Sequence, residues 1–296
     1  TREVVVPAFE DNGYLTGEDL FLAFSPERID PGNEEYKPHE IPKVIGGVTD
    51  TCGDRAEALY APVFDELVRV NSATEAELVK LLENTFRAVN IGLINELAQI
   101  AHKLDVDIWS TVDAASTKPF GFMPFYPGPG LGGHCIPIDP TFLSWKANQH
   151  DIETRFIDLA DRINREMPSY VVQRITDIVN DNGVALPDAR VLVIGVAYKP
   201  EVTDTRESPA HDVIQLLEDR GVDIDYHDPH VPVFETDGLH YDSVPLDHGS
   251  REAYDCAVVL TDHDAVDIDA VIDSATVVFD TRNAVSETCH DDVVHL

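Results

Sequence analysis

A change of pattern after Asn182-Gly183 constrains the fold of this chain more than any other feature. Beyond this pair, short apolar runs that read as buried strands alternate with a helical segment. The runs are Arg190–Gly195, Val222–Tyr226, Cys256–Leu260 and Thr276–Asp280. Ser208-Pro209 supplies an N-cap with proline at the first helical position, and the helix continues through Val213–Arg220 to a stop at Gly221. Strand, helix and strand in this order predict a parallel, Rossmann-like sheet with a domain boundary near residue 183.

The segment before that boundary has the period of α-helices. Between residues 74 and 104, apolar residues recur three or four positions apart, which predicts one long amphipathic helix with a core-facing stripe. The stripe consists of Leu78, Leu81, Leu82, Val89, Leu93, Leu97 and Ile100. A short helix is predicted at Ile108–Ala115, and a long one at Arg155–Asn180 that Pro168 would kink or break. An irregular stretch, Pro119–Pro140, lies between them.

The first 72 residues are predicted to form a small mixed region. A short helix is expected at Arg2–Phe9, a buried strand at Leu20–Ser25, a second strand at Val44–Val48, and a helix at Thr51–Tyr60 that Pro62 interrupts. A chain of 296 residues exceeds the usual size of one domain. We therefore expect an α/β protein in three parts: residues 1–72, an all-helical middle region at 73–182, and a Rossmann-like C-terminal domain at 183–296.

The charge balance is strongly acidic, with 55 acids against 21 bases and a net charge of −34. A folded chain of this mass exposes on the order of 12,000 Å², or one excess negative charge roughly every 19 Å. The Debye length is about 30 Å at 0.01 M salt and about 3 Å at 1 M. The composition therefore predicts adaptation to a salt-rich cytoplasm and argues against nucleic acids and anionic membranes as partners. No apolar run approaches the length of a membrane span, so a cytoplasmic protein is expected.

Metal-binding patterns are weak in this sequence. The four cysteines are scattered without a Cys-x-x-Cys pair, which favours neither a disulfide framework nor a zinc knuckle. His227-x-x-His230 is the tightest histidine pair, but no third ligand accompanies it in the sequence. We expect this pair to lie in a surface turn and expect no metal site.

The stretch from Gly130 to Pro140 carries the strongest functional pattern. Three glycines leave the backbone bare where a ligand could approach, and Cys135 follows them. Pro137 and Pro140 fix the exit of the loop around Asp139. A thiol on a rigid, glycine-lined loop beside an acid suits covalent catalysis. The alternative is a glycine-rich turn that contains a buried cysteine.

Two further groups of polar residues have the chemistry of a binding site. Lys80 and Asn84 are four apart on the long helix, so they share a face and could orient a water or an alkoxide. The alternative for them is a solvated helix edge. Lys199 and Arg206 lie between a buried strand and the helix start at Ser208, where cations and free N–H groups suit a phosphate. Gly195 is alone at that turn, so the turn has no dinucleotide fingerprint.

Four ordered motifs resemble the UDP-glucose/GDP-mannose dehydrogenase family over essentially the whole chain. They are Ser25-Pro26-Glu27-Arg28-Ile29-Asp30-Pro31-Gly32, Lys80-Leu81-Leu82-Glu83-Asn84, the glycine-rich stretch from Gly128 to Asp139, and Lys199-Pro200 with Thr203–Pro209. The first and third look most like the branch that oxidises UDP-N-acetylhexosamines. The chain matches the family only from the last part of its N-terminal NAD-binding domain. Residues 1–72 are therefore expected to be a remnant of that Rossmann domain, and the chain a truncated form.

The resemblance implies an NAD-dependent oxidation of a sugar C6 alcohol to a carboxylate in two hydride transfers. Cys135 would capture the aldehyde as a thiohemiacetal that becomes a thioester, and Lys80 would stabilise the developing oxyanion. Asn84 and Asp139 would position a water, and Glu27 would act as the base in hydrolysis. The remaining implied contacts to the UDP-sugar are Arg28, Arg87, Phe125, Tyr126, Gly128, Gly130, Gly132 and Lys199, and those to the cofactor are Glu27, Ile138 and Arg206.

Two departures from the family pattern bear on the substrate. UDP-glucose-type members carry a second Glu where this chain has Pro31 and a Lys where it has Ile138, which weakens a UDP-glucose assignment. The resemblance also implies a homodimer built on the central helices and a role in polysaccharide biosynthesis. The alternatives are a UDP-glucose 6-dehydrogenase, a non-catalytic nucleotide-sugar-binding or dimerisation module, and a cysteine hydrolase that uses His134.

Overall fold

The computed structural model describes residues 1–30, 35–246, 253–285 and 292–296. The chain divides into two compact units, Thr1–Phe86 and Arg87–Leu296. The division falls within the long helix that the spacing of residues 74–104 predicts. The boundaries expected near residues 72 and 183 stay a prediction.

The first unit contains a small mixed sheet. Its elements are α1 (Val5–Glu10), β1 (Ala23–Phe24), β2 (Lys43–Gly47), α2 (Asp50–Tyr60), β3 (Leu67–Val70) and the beginning of α3 (Ala73–Lys103). The strand order is β1-β2-β3, with β1 antiparallel and β3 parallel to β2. The buried strand expected at Leu20–Ser25 is wrong, because only Ala23 and Phe24 pair and Ala23 is exposed. As an edge strand, β1 has a neighbour on one side alone.

The second unit begins with the helices of the middle region. After α3 come α4 (Ile108–Ser116), α5 (Asp139–Asn148) and α6 (Arg155–Asp181). Helix α6 continues through Pro168, so the expected break does not occur. Helix α5 was not predicted. Its large apolar residues Phe142 and Trp145 are exposed and give no buried stripe from which a helix could be recognised.

The long helix α3 buries small residues rather than its leucines. Leu78, Leu82, Leu93, Leu97 and Ile100 are exposed, so the expectation of a core-facing stripe is wrong. The second unit instead buries Ala98 and Ala101 of α3, which pack with Ile94 and with Trp109 of α4. Close packing against α6 explains why α3 has small residues on its buried face, because a Cβ on Gly92 would lie 3.3 Å from Ala160.

The C-terminal part is a parallel sheet, which confirms the predicted fold class. After a 3₁₀ turn at Leu186–Asp188 come β4 (Arg190–Ile194), α7 (Pro209–Glu218), β5 (Asp223–His227), β6 (Val233–Thr236), β7 (Leu239–Asp242), β8 (Tyr254–Val259), α8 (Ile268–Ser274), β9 (Ala275–Asp280) and β10 (Val293–His295). The order β10-β9-β8-β4-β5 is parallel throughout. The hairpin β6–β7 was not predicted.

Alternation along β4 builds a core on each face of this sheet. Val191 and Val193 pack into the cluster with α6 and α7, whereas Leu192 and Ile194 pack with Val271 of α8. Because all strands are parallel, their carboxyl ends meet at one edge, where open α/β sheets bind ligands. None of the helices in the described ranges is long and apolar enough to cross a membrane.

Candidate functional site

Cys135 lies in the turn that leads into α5. The carbonyl oxygen of Cys135 accepts hydrogen bonds from the N–H groups of Ile138, at 3.2 Å, and Asp139, at 2.8 Å. Its side chain is half-buried, and Asp139 opens α5 one turn later. The structure therefore places the predicted nucleophile and the predicted acid on the same short turn.

The glycines before Cys135 let this loop lie against the chain's own C-terminal part. A Cβ on Gly132 would lie 2.8 Å from Cβ of Tyr198, and one on Gly133 would lie 2.9 Å from its ring. A Cβ on Gly130 would lie 3.3 Å from Pro209. The sequence suggests that these glycines admit a ligand. In the structure they admit Tyr198 and Pro209, so the loop is fixed to the edge of the parallel sheet.

The same loop carries one match to the G-x-G-x-x-G spacing, at Gly128, Gly130 and Gly133. In a dinucleotide site this spacing follows a strand directly and opens a helix. Here the element before the loop is α4, which ends at Ser116, and no described strand lies between them. The spacing in this loop therefore does not form a dinucleotide turn.

A buried amide network holds the loop from the other side. The N–H of Gly128 donates to Oδ1 of Asn95 at 3.0 Å, and Nδ2 of Asn95 donates to Oδ1 of Asn164 at 2.9 Å. Asn164 in turn donates to the carbonyl oxygen of Ala88. Sequence reasoning missed both asparagines. Their signal was the placement of polar residues on the buried faces of α3 and α6.

The aromatic residues of the loop pack on α4. The ring of Tyr126 stacks on Trp109 with 5.5 Å between centroids, and its hydroxyl donates to Asp113 at 2.6 Å. This hydrogen bond raises the pKa of Tyr126. Phe125 packs against the cluster of apolar residues that α3 and α4 bury. Phe125 and Tyr126, the two aromatic residues predicted to contact the substrate, therefore both pack against residues of the protein itself.

Lys199 and Arg206 lie on the turn between β4 and α7. Lys199 is half-buried, with Nζ 5.8 Å from the ring centroid of Tyr198, so Tyr198 contacts both this lysine and the glycine loop. Arg206 is exposed and donates two hydrogen bonds to the carboxylate of Asp204, from Nε at 3.0 Å and from a terminal nitrogen at 2.7 Å. This hydrogen bonding lowers the pKa of Asp204. Arg206 therefore already has a carboxylate partner within its own turn.

A cleft of about 300 Å³ adjoins the glycine loop. It is lined by Gly130 and Leu131 of the loop, by Asn164, Arg165 and Pro168 of α6, and by Ser208, Pro209 and His211 at the start of α7. Ser208 caps α7, with Oγ accepting from the N–H of Ala210, as the sequence predicts. Pro168 has no N–H group, so the carbonyl oxygen of Asn164 does not accept the usual helical hydrogen bond from the residue four positions later.

In the first unit, Glu27, Arg28 and Lys80 come together. Nζ of Lys80 donates to the carbonyl oxygen of Glu27 at 2.9 Å. The Glu27 carboxylate accepts the N–H groups of Arg28 and Ile29, both at 2.8 Å, and lies 3.6 Å from Nζ of Lys43. Partial burial raises the pKa of Glu27, but these donors and the lysine charge together hold it below its ordinary value. Glu27 is therefore an ionised carboxylate near neutral pH.

The guanidinium of Arg28 is also engaged within this unit. It pairs with Glu83 of α3 at 2.8 Å and donates to the carbonyl oxygen of Pro42 at 2.7 Å. Asn84 lies one turn beyond Lys80 on the same helix. The structure thus brings four of the predicted residues onto α3 and the loop after β1. Sequence reasoning missed Lys43, which follows Pro42 at the start of β2.

The remaining predicted residues divide between the units. Arg87 and Ile138 belong to the second unit, with Cys135, Asp139 and the glycine loop. Pro31 and Cys289 lie outside the described residues. Each unit carries its own part of the predicted set, and the catalytic and binding roles stay a prediction.

Known families match the two segments that carry these groups. The central domain of the UDP-glucose/GDP-mannose dehydrogenase family matches residues 74–166, and the UDP-binding domain of the same family matches residues 192–287. The match to the central domain includes the glycine loop and Cys135. The match to the UDP-binding domain covers most of the parallel sheet and the turn that bears Lys199.

Relatives of known name are similar over most of the chain. A UDP-N-acetyl-D-mannosamine dehydrogenase of Methanococcus maripaludis is 36% identical over 272 residues, which cover 89% of this chain and 61% of the relative. A UDP-N-acetyl-D-glucosamine 6-dehydrogenase of Pseudomonas aeruginosa is 35% identical over 266 residues, 89% of this chain and 62% of the relative. The chain therefore spans about three fifths of the length of these relatives.

Solved structures agree with the sequence comparison. A UDP-N-acetyl-mannosamine dehydrogenase from Staphylococcus aureus is 32% identical with a TM-score of 0.80, covering 99% of this chain and 68% of the other. A UDP-D-ManNAc dehydrogenase from Pyrococcus horikoshii is 29% identical with a TM-score of 0.86, covering 98% and 68%. These matches confirm the resemblance of the four motifs: the chain belongs to the UDP-glucose/GDP-mannose dehydrogenase family.

Proposed function

We propose that this chain is the thiol-bearing and nucleotide-sugar-binding part of an NAD-dependent UDP-N-acetylhexosamine 6-dehydrogenase. The observation that carries the proposal is the packing of the Cys135 loop, through Gly132 and Gly133, on Tyr198. It holds a thiol at the carboxyl edge of a parallel sheet, where nucleotide ligands bind in such folds. The names of the relatives support a UDP-N-acetylhexosamine as the substrate.

The proposed chemistry of Cys135 is covalent. Its sulfur adds to the carbon of a sugar C6 aldehyde, a C–S bond forms, and the carbonyl oxygen takes a proton to give a thiohemiacetal. Loss of a hydride from that carbon, together with loss of the hydroxyl proton, leaves a thioester. Water then attacks the carbonyl carbon, the C–S bond breaks, and the carboxylate leaves with the thiol restored.

The family resemblance implies NAD⁺ as the hydride acceptor. The glycine spacing of the Cys135 loop follows no strand and so forms no dinucleotide turn, and Arg206 must release Asp204 to contact the cofactor. When bound, NAD⁺ supplies the hydride acceptance. The steps that belong to this chain's own residues are capture of the aldehyde, stabilisation of the oxyanion and activation of the water.

Four charged or polar residues are proposed to serve these steps. Lys80 offers an ammonium to the developing oxyanion, and Asn84 and Asp139 orient the water. Glu27 acts as the base: its lowered pKa keeps the carboxylate ionised near neutral pH, and it also makes that carboxylate a weaker base than an ordinary Glu. The proposed contacts to the UDP-sugar are Arg28, Arg87, Phe125, Tyr126, Gly128, Gly130, Gly132 and Lys199, and those to the cofactor are Glu27, Ile138 and Arg206.

The exposed stripe of α3 supports a homodimer through the central helices. Leu93, Leu97 and Ile100 of α3, and Leu104 directly after it, recur every three or four residues and are 39–68% exposed. An apolar stripe of this kind on a surface helix fits a partner helix. Light scattering is expected to give a dimer for the wild type and a monomer for Leu97→Glu, with Glu96→Gln on the same helix as the control. A monomeric wild type would rule out this interface.

The setting proposed for this activity is a salt-rich cytoplasm, in the synthesis of a polysaccharide that contains uronate sugars. The charge of −34 supports the salt-rich setting. The dehydrogenases named as relatives support an oxidation that yields such sugars.

Calorimetry and an NADH assay test the proposal together. In molar salt, we expect UDP-N-acetylmannosamine or UDP-N-acetylglucosamine to bind more tightly than UDP-glucose, with Cys135→Ala retaining binding. Failure of all three nucleotide sugars to bind would overturn the proposal. Binding with neither NADH formation nor protection of Cys135 from alkylation supports the second candidate, a nucleotide-sugar-binding module. Thiol-dependent hydrolysis without NAD would instead support a cysteine hydrolase.

A further inference from the structure

A cluster of metal-binding side chains lies at the carboxyl edge of the parallel sheet. The turns after β4, β5 and β8 bring together Glu201, His230 and His263, whose donor atoms lie within 4.8 Å of one another. Oε2 of Glu201 is 3.3 Å from Nε2 of His230, and Oε1 is 3.8 Å from Nδ1 of His263. None of the three has a role in the proposed dehydrogenase chemistry.

We propose that Glu201, His230 and His263 bind a divalent transition-metal ion of the Zn²⁺ class. Zinc bonds to nitrogen and carboxylate oxygen of about 2.0–2.1 Å in a tetrahedral site place neighbouring donors about 3.3 Å apart. In the structure the donor atoms lie within 4.8 Å of one another, and different oxygens of Glu201 face the two imidazoles. The exposed Glu201 side chain must therefore turn one oxygen towards both rings when the ion binds. Two imidazoles and a carboxylate suit zinc, and three protein ligands leave the fourth position to water.

The state of His230 is a second observation that points to a ligand. Its Nε2 atom is buried, and among the described residues it has no hydrogen-bond partner, although the Glu201 carboxylate is 3.3 Å away. Buried polar atoms are nearly always paired. Nε2 of His230 and Oε2 of Glu201 lie close together but form no hydrogen bond. This is the arrangement of two atoms that bind the same metal ion.

Asp228 supplies the outer support that a metal-binding histidine needs. Its buried carboxylate lies 3.2 Å from Nε2 of His263 and also accepts the N–H groups of Val196 and His230. The N–H of Glu201 donates to Nδ1 of His263 at 3.1 Å, which places the ring proton on Nε2, towards Asp228. A ligating histidine typically donates its other N–H to a carboxylate in this way. An ion at Nδ1 takes the place of the Glu201 N–H, so the backbone of the turn at Glu201 must also move when the ion binds.

Charge balance agrees with a divalent cation. The carboxylates of Glu201 and Asp228 contribute two negative charges beside two imidazoles, and one M²⁺ neutralises them. The ion would also tie three separate turns together, and one of them carries Lys199, two residues before Glu201. In the sequence, no third ligand lies near His227 and His230, so the pattern predicts no metal site there. The structure supplies the other ligands from turns that are distant in sequence.

Zinc titration of the tag-free full chain tests this proposal. Calorimetry is expected to give one tight site per chain, and saturating Zn²⁺ is expected to raise the melting temperature by several degrees. His230→Ala and Glu201→Gln should each weaken binding at least tenfold. His240→Ala is the matched control, because His240 is an exposed histidine beside Glu235 and Asp242 on the β6–β7 hairpin. Cys135→Ser controls for binding at the thiol.

The outcomes are distinguishable. Retained affinity in His240→Ala and Cys135→Ser, with loss in the two ligand variants, supports the site. Unchanged affinity in both ligand variants, less than one site per chain, or loss of binding in Cys135→Ser overturns it. If His230→Ala does not fold, Glu201→Gln decides, since Glu201 is exposed. The readouts are metal binding and melting, so the test does not depend on the dehydrogenase proposal.

Discussion

Gly132 and Tyr198 lie so close that a Cβ on the glycine would stand 2.8 Å from Cβ of the tyrosine. The same added atom would lie 3.2 Å from the carbonyl oxygen of Glu207 and from Cδ of Pro209. Backbone and ring atoms cannot move aside as the tip of a long side chain can. This contact therefore fixes how the Cys135 loop meets the segment that carries Lys199.

Gly132→Ala is expected to destabilise the chain by about 1–3 kcal/mol, the usual cost of forcing atoms into a packed site. It should also weaken binding of UDP-N-acetylmannosamine, because the loop can no longer lie against Tyr198. Urea unfolding and calorimetry measure the two effects. Met123→Ala is the control, because Met123 is an exposed residue of the irregular stretch that carries the same loop. Equal losses in both variants would contradict the argument.

Removal of the Asn95 side chain tests the amide network. Asn95→Ala leaves the N–H of Gly128 and Oδ1 of Asn164 without their partners in a buried site. A buried group left unpaired costs about 1–3 kcal/mol, so the free energy of unfolding should fall by at least about 2 kcal/mol. Asn148→Ala, at the exposed end of α5, should change it by less than about 0.5 kcal/mol. If Asn95→Ala lowered the free energy of unfolding by no more than Asn148→Ala does, the amide network would not hold the loop in place.

The sequence predicts the parts of the fold that local patterns determine. The apolar runs that become β4, β5, β8 and β9, and the cap at Ser208, follow from residues close together in the chain. The buried face of α3 does not, because Gly92 packs closely against Ala160 of α6, which is distant in the sequence. Leucine periodicity there describes the exposed face instead.

In the candidate site, too, local sequence patterns predict some residues, and tertiary packing determines the others. Cys135 and Asp139 are recognisable because they lie in one motif. The Glu201, His230 and His263 cluster was not predicted, because its members come from three turns that only the sheet brings together. The neighbours of the glycine loop, Tyr198 and Asn95, likewise depend on tertiary packing.

The Asp204–Arg206 pair predicts a specific pH dependence. Hydrogen bonding to Arg206 lowers the pKa of Asp204 in the folded chain, whereas the unfolded value is about 3.9. The pair therefore stabilises the fold at pH values above about 4, and this contribution is lost as the pH falls through the folded pKa. Urea midpoints of wild type and Asp204→Asn should differ at pH 7, and the difference should be smaller at an acidic pH below the unfolded value of about 3.9. Asp181→Asn, at the exposed end of α6, should follow the wild type at both. A difference for Asp204→Asn that is constant with pH would contradict the assignment.

The net charge of −34 predicts a requirement for salt. With one excess negative charge roughly every 19 Å, repulsion is screened in 1 M salt, where the Debye length is about 3 Å, but not at 0.01 M, where it is about 30 Å. Dialysis from molar potassium chloride to 0.01 M should therefore lower the melting temperature and expand the chain. Circular dichroism and small-angle scattering measure both changes. The same melting profile at the two concentrations would refute the salt adaptation.

Alkylation separates Cys135 from the other described cysteines. Cys135 is half-buried, whereas Cys52 and Cys256 are buried, and burial raises the pKa of Cys256 to about 12. At pH 8 only about one Cys256 side chain in 10⁴ is a thiolate, so it reacts very slowly even where reagent can enter. Peptide mapping after iodoacetamide at pH 8 should therefore show modification at Cys135 and not at Cys52 or Cys256.

Alkylation in the presence of a UDP-sugar tests whether Cys135 lies where the sugar binds. UDP-N-acetylmannosamine should slow modification of Cys135, because the proposed aldehyde carbon and the reagent need the same face of the sulfur. Cys135→Ser provides the control by leaving Cys52 and Cys256 as the described thiols, both protected. If Cys256 reacts as fast as Cys135, burial does not protect Cys256 from the reagent. If UDP-N-acetylmannosamine binds by calorimetry but leaves the alkylation rate unchanged, Cys135 does not lie where the sugar binds, and its role as the nucleophile is lost.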